Sequence, residues 1–180
     1  RRQLMPNIKW GTPLKEGQRP NPVVYVSYVD LPADIIEPSE EQLAQVFDGT
    51  PTSRIKTWAR KKGSDGKAIL EHDPHWIATK KGLGLHNDPR YPRYTHHLKI
   101  KVDEGIYTRG VDLAETKLQR GLFYILDTHS PHQILHKNRQ AVWNVSVSVD
   151  SYDILDEKII LPQMLEFART TDFERAIDDK

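Results

Sequence analysis

The apolar and polar positions fall into short runs with two different periods. Val23 to Val29 is β-branched and aromatic, stops at Asp30-Leu31-Pro32, and predicts a strand. Pro38 to Phe47 sets acids in its first turn and Leu43, Val46 and Phe47 on one face. That predicts an amphipathic helix closed by Asp48-Gly49. Thr52 to Lys62, with Ile55, Trp58 and Ala59 on one side, predicts a second, short basic helix, and Gly63-Ser64-Asp65-Gly66 a turn. Thr95 to Val102 alternates, with Leu98, Ile100 and Val102 on one face. Gly121 to Asp127 reads as a mostly apolar strand. Ala141 to Asp150 alternates throughout: Ala141, Trp143, Val145, Val147 and Val149 are expected to face in, and Asn144, Ser146 and Ser148 out. Ile106 to Arg109 is a weaker strand candidate, and Pro162 to Ala168 predicts a terminal helix.

Short strands at this spacing, with turns between them and helices before and after, suggest a mainly β fold with flanking helices. The expected architecture is a jelly roll, or double-stranded β-helix. One domain is expected over residues 1–180. Its parts would be an irregular arm (1–22), an N-terminal strand and helices (23–80), a jelly-roll core with the metal site (81–150) and a C-terminal helical segment (151–180).

Composition narrows the chemistry. The chain of 180 residues has no cysteine, which excludes disulfides, thiolate zinc, iron–sulfur clusters and a cysteine nucleophile. Eight histidines and 25 carboxylates remain, so a metal would be held by nitrogen and oxygen. No apolar run nears the ~18 residues of a membrane span. Arg1-Arg2-Gln3-Leu4-Met5-Pro6 lacks the apolar stretch of a secretory signal. The expected location is intracellular, in the cytoplasm, with no membrane partner. The net charge of +1 conceals an asymmetry: residues 54–101 hold twelve Lys or Arg against four Asp or Glu, a local excess of +8. Such a segment reads as a solvated face or as a funnel for an acidic substrate.

Three features carry candidate chemistry. In His86-Asn87-Asp88, an extended backbone would point the imidazole and the carboxylate the same way. With 8 His and 25 acids, chance alone supplies about one such pair, so the motif counts only in company. The second feature is Asp127-Thr128-His129-Ser130-Pro131-His132-Gln133-Ile134 at the end of an apolar strand, where a histidine can complete a two-His-one-carboxylate set. His129 and His132 both qualify. The third is Arg139, which shares parity with Ala141 and Trp143 and is expected to point inward, where it needs an anion. His72-Asp73-Pro74-His75 reads as a solvated loop with a capping Asp, and His96-His97 as a strand with one residue on each face.

The order His86-x-Asp88, then Pro131-His132-Gln133-Ile134 after a Gly-initiated apolar strand, then Arg139 before an alternating strand, resembles the iron(II)- and 2-oxoglutarate-dependent dioxygenases. The nearest local likeness is to the prolyl-hydroxylase-like branch, over roughly Leu85 to Val149. The resemblance implies that His86, Asp88 and His132 bind Fe(II). It also implies that Arg139 holds the distal carboxylate of 2-oxoglutarate, with Lys137 competing for that role and His96 within reach of the cosubstrate. With O2, such an enzyme hydroxylates a substrate C–H bond and releases succinate and CO2. Two alternatives are a non-catalytic jelly-roll binding module and a cupin-type metal enzyme that does not use 2-oxoglutarate. Arg90, Tyr91, Arg93 and Tyr94, directly after the iron motif, are candidate substrate contacts. A protein side chain, a small molecule and a nucleic acid remain open as substrate, and the basic segment favours an acidic one.

Overall fold

The computed structural model describes residues 22–59, 73–111, 114–171 and 173. Most of the arm, the turn at 63–66, residues 60–62 of the expected basic helix and His72 lie outside them. The chain runs β1 (Val23–Tyr28), α1 (Glu40–Asp48), β2 (Ile55–Trp58), β3 (His75–Lys80), β4 (Leu83–His86) and β5 (Tyr94–Val102). It continues with β6 (Ile106–Gly110), β7 (Glu115–Lys117), β8 (Leu122–Asp127), β9 (His132–His136), β10 (Trp143–Ser151) and α2 (Glu157–Thr170).

These strands build a β-sandwich of two antiparallel sheets. The larger has the order β1-β8-β5-β10-β3-β2, and the smaller β4-β9-β6-β7. Both helices cover the outer face of the larger sheet. There Leu43, Val46 and Phe47 of α1, and Ile160, Met164 and Ala168 of α2, share one core with Leu98, Phe123, Ile125 and the valines of β10. Between the sheets lies a second, smaller core of Ile106, Leu118, Leu122, Tyr124, Leu126 and Ala141. β8 is therefore buried on both faces, which is why its sequence is almost continuously apolar.

Three sequence expectations give way here. Thr52 to Lys62 does not form a helix among its described residues. Residues 55–58 are the edge strand β2, in register with β3 from Ile55↔Thr79 to Trp58↔Trp76. Ile55 and Trp58 suit a helical stripe, but in β2 they face opposite ways. Trp58 stacks on Trp76 with ring centroids 6.1 Å apart, which holds the strand more firmly than a solvated basic helix could be held. Val102 leaves the face of Leu98 and Ile100. Between Ser146↔Lys99 and Val145↔Lys101, one residue of β10 spans two of β5, and this bulge sends Val102 to the inner core. Helix α2 starts five residues before Pro162, because the Asp156 side chain accepts the Lys158 N–H at 2.9 Å and caps the first turn.

The polar parity of β10 also differs from expectation. Asn144, Ser146 and Ser148 are buried and face the space between the sheets, not solvent. They stand in rows with the neighbouring strands: His97–Ser148–His75, Lys99–Ser146–Ile77, and Asn144 beside Thr79. The sandwich thus has one greasy side under the helices and one polar-lined interior.

Candidate metal centre

His86 ends β4 and His132 opens β9, and the two are cross-strand partners in the smaller sheet. Their rings are 4.4 Å apart. Asp88 follows in a loop anchored by its own N–H, which donates to the Thr128 carbonyl at 2.8 Å. Asp88 Oδ2 lies 3.7 Å from His86 Nε2 and 3.5 Å from His132 Nε2. The candidate ligand atoms of all three residues lie within 4.8 Å of one another, the one such group among the described residues.

Backbone carbonyls fix how the imidazoles are presented. His86 Nδ1–H donates to the Gly84 carbonyl at 2.6 Å, and His132 Nδ1–H to the Ser130 carbonyl at 2.8 Å. Both rings therefore turn a basic Nε2 toward Asp88, the tautomer a metal ligand requires. When its ring also carries a proton on Nε2, His132 donates to Asp88 and holds its carboxyl below the usual carboxylate range, against the opposing effect of partial burial. Two imidazole Nε2 atoms and one carboxylate on a single side of a point leave the other side open. That donor set suits a non-haem Fe(II) or a similar divalent ion. His129 does not join them: its Nε2–H donates to the Tyr91 carbonyl at 3.0 Å and ties the two rim loops together.

The triad opens into a cavity of about 120 Å³ between the sheets, on the scale of the ~150 Å³ cavities that hold a benzene-sized molecule. Lys99 lines the same cavity. It is 2% exposed, and its ammonium donates to Asn144 Oδ1 and Ser146 Oγ, both at 2.8 Å. The Tyr124 ring lies 5.2 Å from Nζ. No carboxylate contacts this ammonium among the described residues, and burial pushes its pKa down to about 7. His97, stacked on Tyr124, shares its two ring nitrogens with Thr95 Oγ1 and Ser148 Oγ at 2.8 Å each. Burial, and then the Lys99 charge, holds His97 well below its ordinary value, so it is neutral. No known protein-family model and no curated protein matches the chain.

The residues expected to meet a cosubstrate lie elsewhere. Arg139 is exposed in the turn before β10, where its carbonyl accepts from Lys81 Nζ at 3.1 Å. Lys137 is exposed and paired with Glu115 at 2.5 Å. His96 is buried on the helix side of the larger sheet, 6.3 Å from the Phe123 ring. Arg139 lies in the turn before β10 begins at Trp143, so strand parity does not reach it, and the face that His96 shares with Leu98 and Ile100 packs under the helices, away from the triad. Of the four rim candidates only Tyr91 borders the space beside the triad. Arg93 instead grips the buried Asp127 at 3.1 Å and closes β5 against the end of β8. Tyr94 packs against the helix-side core, and Arg90 is exposed in the loop. The sequence signal for Lys99 was the match of Thr95, His97 and Lys99 on β5 with Asn144, Ser146 and Ser148 on β10. Taken one strand at a time, neither polar parity points to a shared interior.

Among the described residues no helix is long and apolar enough to cross a membrane.

Proposed function

We propose that this protein is an Fe(II)- and 2-oxoglutarate-dependent oxygenase of the double-stranded β-helix type that hydroxylates a C–H bond. The observation that carries this reading is the pairing, in one cavity, of the His86–Asp88–His132 triad with a buried ammonium lacking a carboxylate partner. A buried lone cation is costly. An acid entering the cavity turns that cost into a charge-assisted contact.

The chain's own residues divide the work. His86 Nε2, His132 Nε2 and Asp88 would hold the iron from one side. Lys99 would receive the distal carboxylate of 2-oxoglutarate, the role the resemblance assigned to Arg139 or Lys137. Asn144 and Ser146 would keep the ammonium aimed, while Leu126 and Ile134 wall the cavity against water. Iron with 2-oxoglutarate and O2 supplies the oxidising power, and the products are succinate, CO2 and a hydroxylated substrate.

Anaerobic addition of Fe(II) and 2-oxoglutarate should produce a visible charge-transfer band. His132→Ala should abolish it. Lys99→Met should raise the 2-oxoglutarate concentration needed for it by about 10–100-fold, the worth of one or two hydrogen bonds to a charged group. No band in the native protein, or a Lys99→Met variant with native 2-oxoglutarate affinity, would overturn the assignment. Turnover with metal but without 2-oxoglutarate would favour a cupin-type enzyme instead.

A further inference from the structure

A second, larger space of about 750 Å³ adjoins the triad and opens to solvent. Its volume is that of an ordinary small-molecule cleft. Eight large apolar side chains are exposed among the described residues. Three of them, Ile55 (43% exposed), Leu85 (53%) and Tyr91 (58%), border this one groove, and Ile77 and Leu83 continue its floor. Clustered apolar exposure of this kind marks a binding surface. Away from the triad, the charged or imidazole groups on its border are Lys56, His75 and Asp150. Of these, Lys56 and Asp150 are of opposite sign.

Of the described cations of the basic segment, Lys56 alone borders this groove. Arg54 donates to the Lys81 carbonyl at 2.6 Å, and Lys80 to the Pro51 carbonyl at 2.9 Å. Arg93 is held by Asp127, and Lys101 lies 3.9 Å from Glu37. Lys99 points into the inner cavity, where it faces the cosubstrate side of the triad. The eight described Lys and Arg of this segment, set against Asp73 and Asp88, are thus spread over several faces and form no funnel around the triad.

We infer that the substrate presents a neutral, largely apolar group to the metal, seated between Ile55, Leu85 and Tyr91, and is not a polyanion. This deepens the oxygenase reading and rests on it for the role of the groove. The chemistry belongs equally to a free small molecule and to a side chain on a peptide.

The test is ligand-observed NMR with the full chain, first without metal and then with Fe(II) and 2-oxoglutarate under anaerobic conditions. The probes are N-acetyl-leucine N-methylamide, its glutamate counterpart, a five-residue peptide with a central leucine, and a hexathymidylate. The leucine probe should bind at least ~10-fold more tightly than the glutamate probe, as burial of one leucine side chain warrants. Its affinity should change less than about twofold between low and high salt. Ile55→Asp and Leu85→Asp alter exposed positions, so each should keep the native melting temperature and lose at least about fivefold in leucine-probe affinity. A further ~10-fold gain for the peptide assigns a peptide substrate, and equal affinity a free small molecule; both support the apolar class. Tighter, salt-sensitive binding of the glutamate probe or of the hexathymidylate overturns the inference, as does failure of the leucine probe to bind. Leucine-probe binding without the charge-transfer band would sink the oxygenase reading alone. The band with preferential anion binding would sink the substrate class alone.

Discussion

Lys99 is asked to do two opposed things. Buried between the sheets, its charge is desolvated and, among the described residues, accepted by neutral oxygens, so it takes up a proton far less readily folded than unfolded: about 7 against 10.5. The unfolded chain therefore binds more protons between those values. This residue's contribution makes folding more favourable as pH rises from about 7 toward 10.5, and its penalty is complete below about 7. Lys99→Met keeps the length and removes the charge. In urea denaturation at pH 7 it should stabilise the ligand-free protein by roughly 1–3 kcal/mol, an advantage that shrinks as pH approaches 10. The same variant should bind 2-oxoglutarate poorly. A destabilised Lys99→Met protein would mean that the ammonium has a partner that satisfies it in the empty state. The residue scale is also where the sequence was most legible and most misleading. The meeting of His86, Asp88 and His132 could be read from order and residue type, because both lie in the motifs themselves. Lys99 could not, because its meaning lies in what β10 sets opposite it.

At the scale of elements, alternation was legible wherever one face of a strand packs in a uniformly apolar core. β1, β5, β8 and β10 and helix α1 fall where their patterns predict them, within a residue or two. β3, β4 and β9 escaped because their surroundings break the pattern. β3 mixes His75, Thr79 and Lys80 with Trp76, Ile77 and Ala78 and so neither alternates nor runs apolar, and β4 and β9 carry the triad histidines and line a cavity. Their connection shows how tightly the site is framed. Lys81 and Gly82 both have positive φ, 60° and 77°, where the chain passes from the larger sheet to the smaller. A Cβ on Gly82 would stand 2.8 Å from the Ile134 carbonyl oxygen, on the strand that His132 begins. Gly82→Ala meets both left-handed strain and a backbone clash, and should cost about 1–3 kcal/mol. Because β4 must shift against β9 to relieve it, the two imidazoles should separate. Metal affinity, measured by calorimetry with Mn(II), should fall by more than the loss of folded protein accounts for. Native metal affinity in a Gly82→Ala protein would show that the triad tolerates movement between the two strands.

The whole molecule sets the two halves of its site on different sheets. The triad belongs to the smaller sheet and an adjoining loop, and Lys99 with its two supporting side chains to the larger. The sheets meet through a small apolar core, whereas the larger sheet is braced by two helices and most of the buried apolar residues. A metal alone would tie together β4, β9 and their loop. A dicarboxylate bound both to that metal and to Lys99 would tie one sheet to the other. The ligands should therefore stabilise the fold in a specific order. At about 100 times its dissociation constant, a ligand that binds only the folded state adds ~2.7 kcal/mol. In a chain of this size that amounts to roughly 5–10 °C in melting temperature. Mn(II) should raise the melting temperature of both the native protein and Lys99→Met. 2-Oxoglutarate should add a second increment only in the native protein, and only when Mn(II) is present. A second increment that survives in Lys99→Met would place the distal carboxylate on some other group and dissolve the link between the sheets.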